Sequence, residues 1–402
     1  MKKRNRWIYV IAGTFILLFA GMVYAWSVMS SPIATQYPQW SKAQLSITFT
    51  LVMTFFCLGA VFGGLLTKKI NVKINIFIAA GLFLAGFFIA STATSLGVLY
   101  LAFGVCCGFA SGLTYNAVLG TMGKWFPDKP GLVSGILLMG FGMGSFLIGK
   151  LYIAYTPGNL DGWRTSFRVF GVMITVVLII GSIFFVLPTK EDLAPYQIHV
   201  KAVHSTVKSL SAREMIRKSS FWFAFIWAIM LSATGLALIS QAGNIVMEIG
   251  GAKTAAGTVA TLVGIISISN GIGRVIFGAL FDKKGQRFTM FSGNIVMLSA
   301  TGILVGAFLI KSLALLIIPF ILCGMVYGGV TATNAAFVNR FYGPDNFPVN
   351  LSIINLNLMI ASFGSTIAGM LYDQSGSYFS TFIMMAIATM IGFGSSTLIK
   401  NK

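Results

Sequence analysis

The sequence predicts an all-α membrane protein of twelve transmembrane helices, arranged as two six-helix bundles related by a parallel repeat. Three observations carry that prediction. The 402 residues are 56% hydrophobic and 9% charged, with a mean hydropathy of +0.87, outside the range of soluble globular domains. Apolar runs of about 20 residues, the length that crosses a hydrocarbon core, recur along the whole chain. Two stretches of the first half are echoed in the second at an offset of about 215 residues.

The spans fall at roughly 7 to 30, 43 to 67, 74 to 93, 97 to 123, 130 to 155 and 165 to 187, and again at 219 to 248, 254 to 281, 288 to 310, 313 to 339, 348 to 372 and 378 to 399. MKKRNR followed by an apolar stretch imitates a signal peptide. The stretch is too long for one and eleven more spans follow, so it reads as the first helix. The polar interval from Leu187 to Ser220 holds Pro188, Pro195, His199 and His204 and reads as a linker. This gives residues 1–187 as one bundle, 188–218 as a cytoplasmic loop and 219–402 as the second bundle. Within the loop, Ser211 with Glu214 three residues on has capping-box spacing and predicts a short amphipathic helix at the inner membrane surface.

The formal charge of +19 does not point to nucleic acid, because the basic residues are dispersed between hydrophobic segments. Twenty-one of the 28 Lys and Arg fall at the termini and the loops on their side. That bias predicts both termini in the cytoplasm, in a multi-pass protein of the plasma membrane. Cys57, Cys106, Cys107 and Cys323 lie inside apolar spans with no CxxC spacing and read as small hydrophobes. His199 and His204 are five residues apart in the loop, weak grounds for a metal site. No metal or other cofactor is expected.

The repeat pairs GGLLTKKINVK (Gly63 to Lys73) with GALFDKKGQR (Gly278 to Arg287). It also pairs GLTYNAVLGTMGKWFPDK (Gly112 to Lys129) with GGVTATNAAFVNRFYGPDN (Gly328 to Asn346). A six-plus-six parallel repeat places a substrate site at the midplane between bundles. The eighth span carries a permanent charge there. Ser267, Asn270 and Arg274 share one helix stripe, and Gly264, Gly271 and Gly278 recur every seven residues, which lets another helix approach closely.

Arg274 lies eight residues from Asp282, about 12 Å along a helix, too far for its side chain to cover fully by snorkelling. A buried charge costs roughly 2.5 to 3.5 kcal/mol on insertion scales, and all nine acids sit in loops or at helix ends. An arginine without a resident anion implies that the anion is the cargo, held through two parallel charge-assisted hydrogen bonds. Tyr24, Trp26, Tyr115, Asn116, Tyr327, Thr331, Asn334, Asn355 and Asn357 add polar groups inside spans. Singly, each reads as an interhelical hydrogen bond; together with Arg274 they suit a small polar pocket with aromatic walls. Asp282, Lys283 and Arg287 close the eighth span as a candidate gate, because an acid at a helix end can pair with cations or with a neighbouring helix N-terminus. Thr67 stands where the first half would place its acid.

GALFDKKGQR, with its degenerate copy in the first half, resembles the GxLxDxxGxR loop motif of the major facilitator superfamily. NRWIYVIAG and GMVYAWSVMSSPI in the first span, KWFPDKPGLVSG with GFGMG across the fourth and fifth, and NGIGR in the eighth narrow the resemblance to the oxalate/formate antiporter family, relatives of the monocarboxylate transporters. The resemblance spans nearly the whole chain. It implies the major facilitator fold and transport of small carboxylates by alternating access. It places Arg274 on the family's carboxylate-binding arginine, Asn270 on a site position one turn before it, and Tyr24, Tyr115 and Tyr327 on aromatic positions lining the pocket.

There are two departures from the family pattern. The oxalate exchanger's second cation, a lysine in the eleventh span, is matched here by Asn357, which favours a monoanion such as lactate, pyruvate, formate or glycolate over oxalate. The aspartate that eukaryotic monocarboxylate transporters carry one turn before the arginine is matched by Asn270. Proton symport with the acid and anion exchange both stay open, with Glu248 the one nearby acid. The expected partners are thus a small carboxylate anion, a proton or counter-transported anion and the lipid bilayer, with the protein acting as a monomer. Export or import of a drug-like or neutral solute is the rival reading, with Arg274 as a structural donor. A sensor built on a transporter fold is a third. An enzyme is not expected, since no span holds His, Asp or Glu apart from Glu248 at the outer end of the seventh, and no GxxxxGK[ST] loop is present to bind ATP.

Overall fold

The computed structural model describes residues 5–66, 70–126, 130–193, 209–251, 254–343 and 346–399. Thr67, His199, His204 and the WFPDK stretch beyond Phe126 lie outside the described residues. Eleven helices among the described residues are long and apolar enough to cross a membrane. One of them, Ala256–Leu309, runs for 54 residues, about 81 Å if straight and more than twice a hydrocarbon core. It is broken at Gly285, whose φ of 78° and ψ of 178° are non-helical. The chain folds back there: a Cβ at Gly293 would lie 3.3 Å from Phe277, eight residues before the break. The run therefore supplies two spans, which gives twelve among the described residues, as the sequence predicts.

In chain order these are α1 (Arg6–Gln36), α2 (Lys42–Leu66), α3 (Val72–Ser91), α4 (Leu96–Trp125), α5 (Pro130–Tyr155), α6 (Gly162–Phe184) and α7 (Ser219–Gly250), then α8 (256–284) and α9 (286–309) on either side of the break, α10 (Leu313–Tyr342), α11 (Val349–Ser375) and α12 (Phe379–Thr397). Side-chain caps start several of them: Asn5 accepts from the Trp7 amide, Asn71 from the Lys73 amide and Ser312 from the Leu315 amide. Ser211 and Glu214 form the expected capping box on a single helical turn, Ala212–Met215.

Three spans depart from regular α-helix. α1 tightens to a 3₁₀ stretch at Gly21–Ala25, and α4 widens to a π stretch at Tyr100–Cys107. α11 is interrupted between Ile354 and Asn357 and again at Ser362. Backbone irregularity at membrane depth persists only where protein or water satisfies the freed groups. In α11 the Asn355 and Ser362 carbonyls keep amides of their own helix, Leu358 at 3.1 Å and Ser365 at 3.0 Å, and the first half adds a further donor to each: Thr50 Oγ1 on α2 donates to the Ser362 carbonyl at 2.9 Å, and Cys57 Sγ approaches the Asn355 carbonyl at 3.9 Å.

The repeat read in the sequence recurs in the packing. Gly112 on α4 sits on the Phe56 carbonyl of α2, where a Cβ would come within 2.0 Å of the oxygen. Gly328 on α10 sits on the Asn270 carbonyl of α8, with a matching 1.9 Å. Both members are displaced by about 215 residues between the halves. The bundles meet along α2 with α11, α5 with α8, and α1 with α7. Phe15, Val172, Val275, Ile367 and Ile391 project outward from the bundles, as a lipid-facing surface requires.

The face opposite the chain termini, here the distal face, carries a polar network within the first bundle. Arg164 donates to Asp161, the Ser91 carbonyl and the Tyr37 hydroxyl, and Gln36 donates to Asp161. The Gln36 amide and the Arg164 guanidinium hold the Asp161 carboxyl below its ordinary range.

Because the Gly285 conformation is essentially confined to glycine, Gly285→Ala is expected to destabilise the protein by about 1 to 3 kcal/mol. Gly278→Ala, where the nearest atom to a new Cβ is Ala332 Cβ at 3.9 Å, should stay within about 0.5 kcal/mol. Thermal unfolding of both variants in detergent would check this; equal midpoints would contradict the strained turn.

Candidate functional site

Arg274 stands on α8 and is 7% exposed. Its backbone is brought close to α10 by two glycine contacts. Gly273 packs against the Met325 carbonyl, where a Cβ would come within 2.0 Å of the oxygen, and Gly328 packs against Asn270. On the other side, Gly264 and Gly271 receive Phe146 and Met139 of α5. The glycine stripe of the eighth span thus faces protein, as its spacing predicts, and the arginine emerges between the two bundles.

The guanidinium makes two long hydrogen bonds. Nε donates to Asn270 Oδ1 at 3.4 Å, and Nη1 to the Leu138 carbonyl on α5, also at 3.4 Å. The first lies within the helix stripe, one turn back; the second crosses between bundles. Both acceptors are uncharged. Among the described residues no carboxylate pairs with Arg274; the one ion pair between described side chains joins Arg164 to Asp161.

The aromatic groups converge on the same place. Tyr24, in the 3₁₀ stretch of α1, and Tyr327 on α10 meet hydroxyl to hydroxyl at 3.1 Å across the bundles, with rings 6.3 Å apart and tilted by 75°. Tyr24 also packs edge-on to Phe141 at 5.6 Å, Tyr115 packs on Phe141 at 5.4 Å and on Phe56 at 5.1 Å, and Phe56 closes the group against Phe141 at 5.6 Å. Arg274 lies within electrostatic range of the hydroxyls of Tyr24, Tyr115 and Tyr327. The structure therefore assembles five of the six expected binding residues, Arg274, Asn270, Tyr24, Tyr115 and Tyr327, around one point.

Asn357 enters a different set of contacts. Its Nδ2 donates to Ser232 Oγ on α7 at 3.1 Å, and its Oδ1 accepts from Asn334 Nδ2 on α10 at 3.4 Å. The chain Asn334–Asn357–Ser232 is internal to the second bundle. Asn334 Oδ1 ends it without a partner. The candidate gate residues Asp282, Lys283 and Arg287 are exposed and bond to no described residue. Glu248 caps α12 through the Tyr378 amide at 3.0 Å.

Sequence reading did not single out Phe56, Phe141 or the Leu138 carbonyl. Phe141 carried a signal, since it lies within GFGMG, whose glycines bring α5 against α1: a Cβ at Gly21 would come within 2.0 Å of the Phe141 carbonyl oxygen. A backbone carbonyl carries none. Among the described residues no group of three His, Cys, Asp or Glu side chains could hold a metal ion, and the four cysteines are unpaired.

Three comparisons bear on this arrangement. The chain matches the Major Facilitator Superfamily over residues 10–365. It is 28% identical over 364 residues to the uncharacterized MFS-type transporter YhjX of Escherichia coli (strain K12), covering 90% of this chain and 86% of that one. It is 24% identical to the oxalate:formate antiporter of Oxalobacter formigenes, covering 98% and 91%, and 22% identical to monocarboxylate transporter 12 of Homo sapiens, covering 97% and 80%. Among solved structures, a bacterial homolog of the human lysosomal transporter Spinster superposes with a TM-score of 0.74 at 16% identity, over 99% of this chain and 98% of that one.

The Gly328 contact yields a test. Gly328→Ala places a Cβ 1.9 Å from the Asn270 carbonyl oxygen and 2.6 Å from its Oδ1, which displaces the acceptor that orients Arg274. Transport by Gly328→Ala is expected to fall at least tenfold at normal folding yield, while Gly278→Ala transports as the parent does. Uptake by the purified variants in vesicles checks both.

Proposed function

The chain belongs to the Major Facilitator Superfamily and is a multi-pass membrane transporter, and from that premise we propose that it moves small monocarboxylates by binding them at Arg274 between its two bundles. The observation that carries the proposal is a buried guanidinium whose two hydrogen bonds are long and end on neutral oxygens. Such a charge costs roughly 2.5 to 3.5 kcal/mol at membrane depth, and a carboxylate that takes its planar fork in two short bonds removes that cost. The Tyr24 and Tyr327 hydroxyls, with Asn270, supply hydrogen bonds around the anion, and Phe56, Tyr115 and Phe141 supply the apolar wall.

Asn357 is neutral and its amide is occupied by Ser232 and Asn334. A second carboxylate on the cargo would therefore meet no second cation there, which supports a monoanion over oxalate. Asn270 carries no titratable proton, so coupling proceeds either with a proton that travels with the acid or by exchange of one anion for another. The two bundles, residues 1–187 and 219–402, rock about the site as a monomer, with 188–218 as the cytoplasmic connection. The excess of Lys and Arg on the terminal face supports termini in the cytoplasm of a plasma-membrane protein.

Uptake of labelled lactate, formate and oxalate into proteoliposomes tests the reading. Lactate or formate is expected to enter faster than oxalate. Arg274→Ala should lower that uptake about 10- to 100-fold, the range for losing hydrogen bonds to a charged group, and Arg274→Lys should restore little of it because the fork is lost. Acceleration by preloaded acid marks exchange, and acceleration by an inward proton gradient marks symport. Uptake by Arg274→Ala at the parental rate, or preference for oxalate, would overturn the assignment.

A further inference from the structure

At the distal face the start of α2 is finished by the other bundle. The first amides of any helix lack intrahelical acceptors. In α2 the stretch SKAQ satisfies part of this set itself, as a capping box: Ser41 Oγ accepts from the Gln44 amide at 3.2 Å, and Gln44 Oε1 accepts from the Ser41 amide at 2.9 Å. The Lys42 and Ala43 amides remain. Both are taken by Asp373 at the end of α11, Oδ1 from Lys42 N at 3.0 Å and Oδ2 from Ala43 N at 2.9 Å. A carboxylate with two amide bonds at a helix N-terminus is favoured by charge as well as by geometry.

This cap differs from the other distal carboxylate cap, Glu248 on the Tyr378 amide, which joins two helices of one bundle. Asp373 and α2 belong to different bundles. The neighbouring bonds also cross between them: Lys42 Nζ donates to Asn244 Oδ1 at 3.0 Å, and Gln241 Nε2 donates to Ser46 Oγ. Gly369 permits the approach, since a Cβ there would lie 2.8 Å from the Lys42 carbonyl and from Ala43. At the terminal face Asp282, Lys283 and Arg287 bond to no described residue. The distal contact between the bundles is held by a bidentate cap.

We propose that Asp373 and the exposed amides of α2 form a distal latch between the bundles, which keeps the distal face shut and breaks whenever the transporter opens there. The latch acts on the distribution between conformations and leaves the Arg274 site unchanged. It rests on the rocking part of the proposed function and not on the identity of the cargo.

Distances between spin labels at Gln39 and Gln374, both exposed, test the latch in nanodiscs without any carboxylate, the four native cysteines being replaced. A failure here is thus separable from a failure of carboxylate transport. The protein with Asp373 is expected to show one short distance. Asp373→Ala should raise the ratio of a longer to the short population at least tenfold, equivalent to about 1.4 kcal/mol. Asp373→Asn, which keeps one acceptor and the side-chain shape, should raise it less, about threefold, and carries the test if the alanine variant does not fold. Lys42→Gln keeps the backbone amides and should change the ratio least. An unchanged distribution in folded Asp373→Asn and Asp373→Ala overturns the proposal, as does a shift in Lys42→Gln as large as that in Asp373→Ala.

Discussion

A positive charge held inside a helical membrane protein has to be answered by something, and the rest of this structure is arranged around how Arg274 is answered. Its partners are an amide oxygen one turn back on α8 and a carbonyl on α5. The carbonyl belongs to the opposite bundle, so the arginine lies on the seam between the two halves. In the proposed cycle that position links binding to movement. A seam that must close over an unpaired charge is costly, and one that closes over a neutral ion pair is less so. Cargo binding then shifts the balance between conformations because it interacts differently with them.

The two halves share a scaffold and divide the chemistry. Gly112 on the Phe56 carbonyl and Gly328 on the Asn270 carbonyl are the same contact at repeat-related positions. In the first half the side chain at that contact is a phenyl group, part of the aromatic wall with Tyr115 and Phe141. In the second half it is an amide that accepts from Arg274. Duplication accounts for the close packing twice over. The charge and its acceptor occur once, so in the proposed cycle cargo meets an apolar wall on one side and a cation on the other.

How much of this was legible in the sequence follows from the range of each interaction. The spans, the capping box at Ser211 and Glu214, and the glycine stripe of the eighth span are local patterns, and all three recur in the structure as the spacing predicts. The convergence of Tyr24, Tyr115 and Tyr327 on Arg274 was expected from family resemblance; the hydroxyl bond between Tyr24 and Tyr327, 303 residues apart, has no local signature. Asn357 shows the limit most clearly. Its type is evident in the sequence, but whether an amide in a span meets cargo or another amide depends on α7 and α10, and here both its polar ends are taken by them. The same holds for Asp373. Nothing near it in sequence shows that α2 lacks acceptors for exactly two amides once its own capping box has formed.

The interrupted helices carry the argument one step further. α1 changes pitch at Tyr24, and α11 breaks next to Asn355 and at Ser362, all on the seam. A carbonyl freed by such a break costs several kcal/mol if it is left bare in hydrocarbon. Here the Ser362 carbonyl accepts the Ser365 amide of its own helix at 3.0 Å and the Thr50 hydroxyl from the other half at 2.9 Å. The second of these bonds joins the halves. Moving α2 away from α11 at this level removes the Thr50 donor and leaves the carbonyl with the Ser365 amide of its own helix. In the proposed cycle the halves can therefore part at this level without baring an unsatisfied backbone carbonyl, and the break in α11 adds little to the cost of opening the seam.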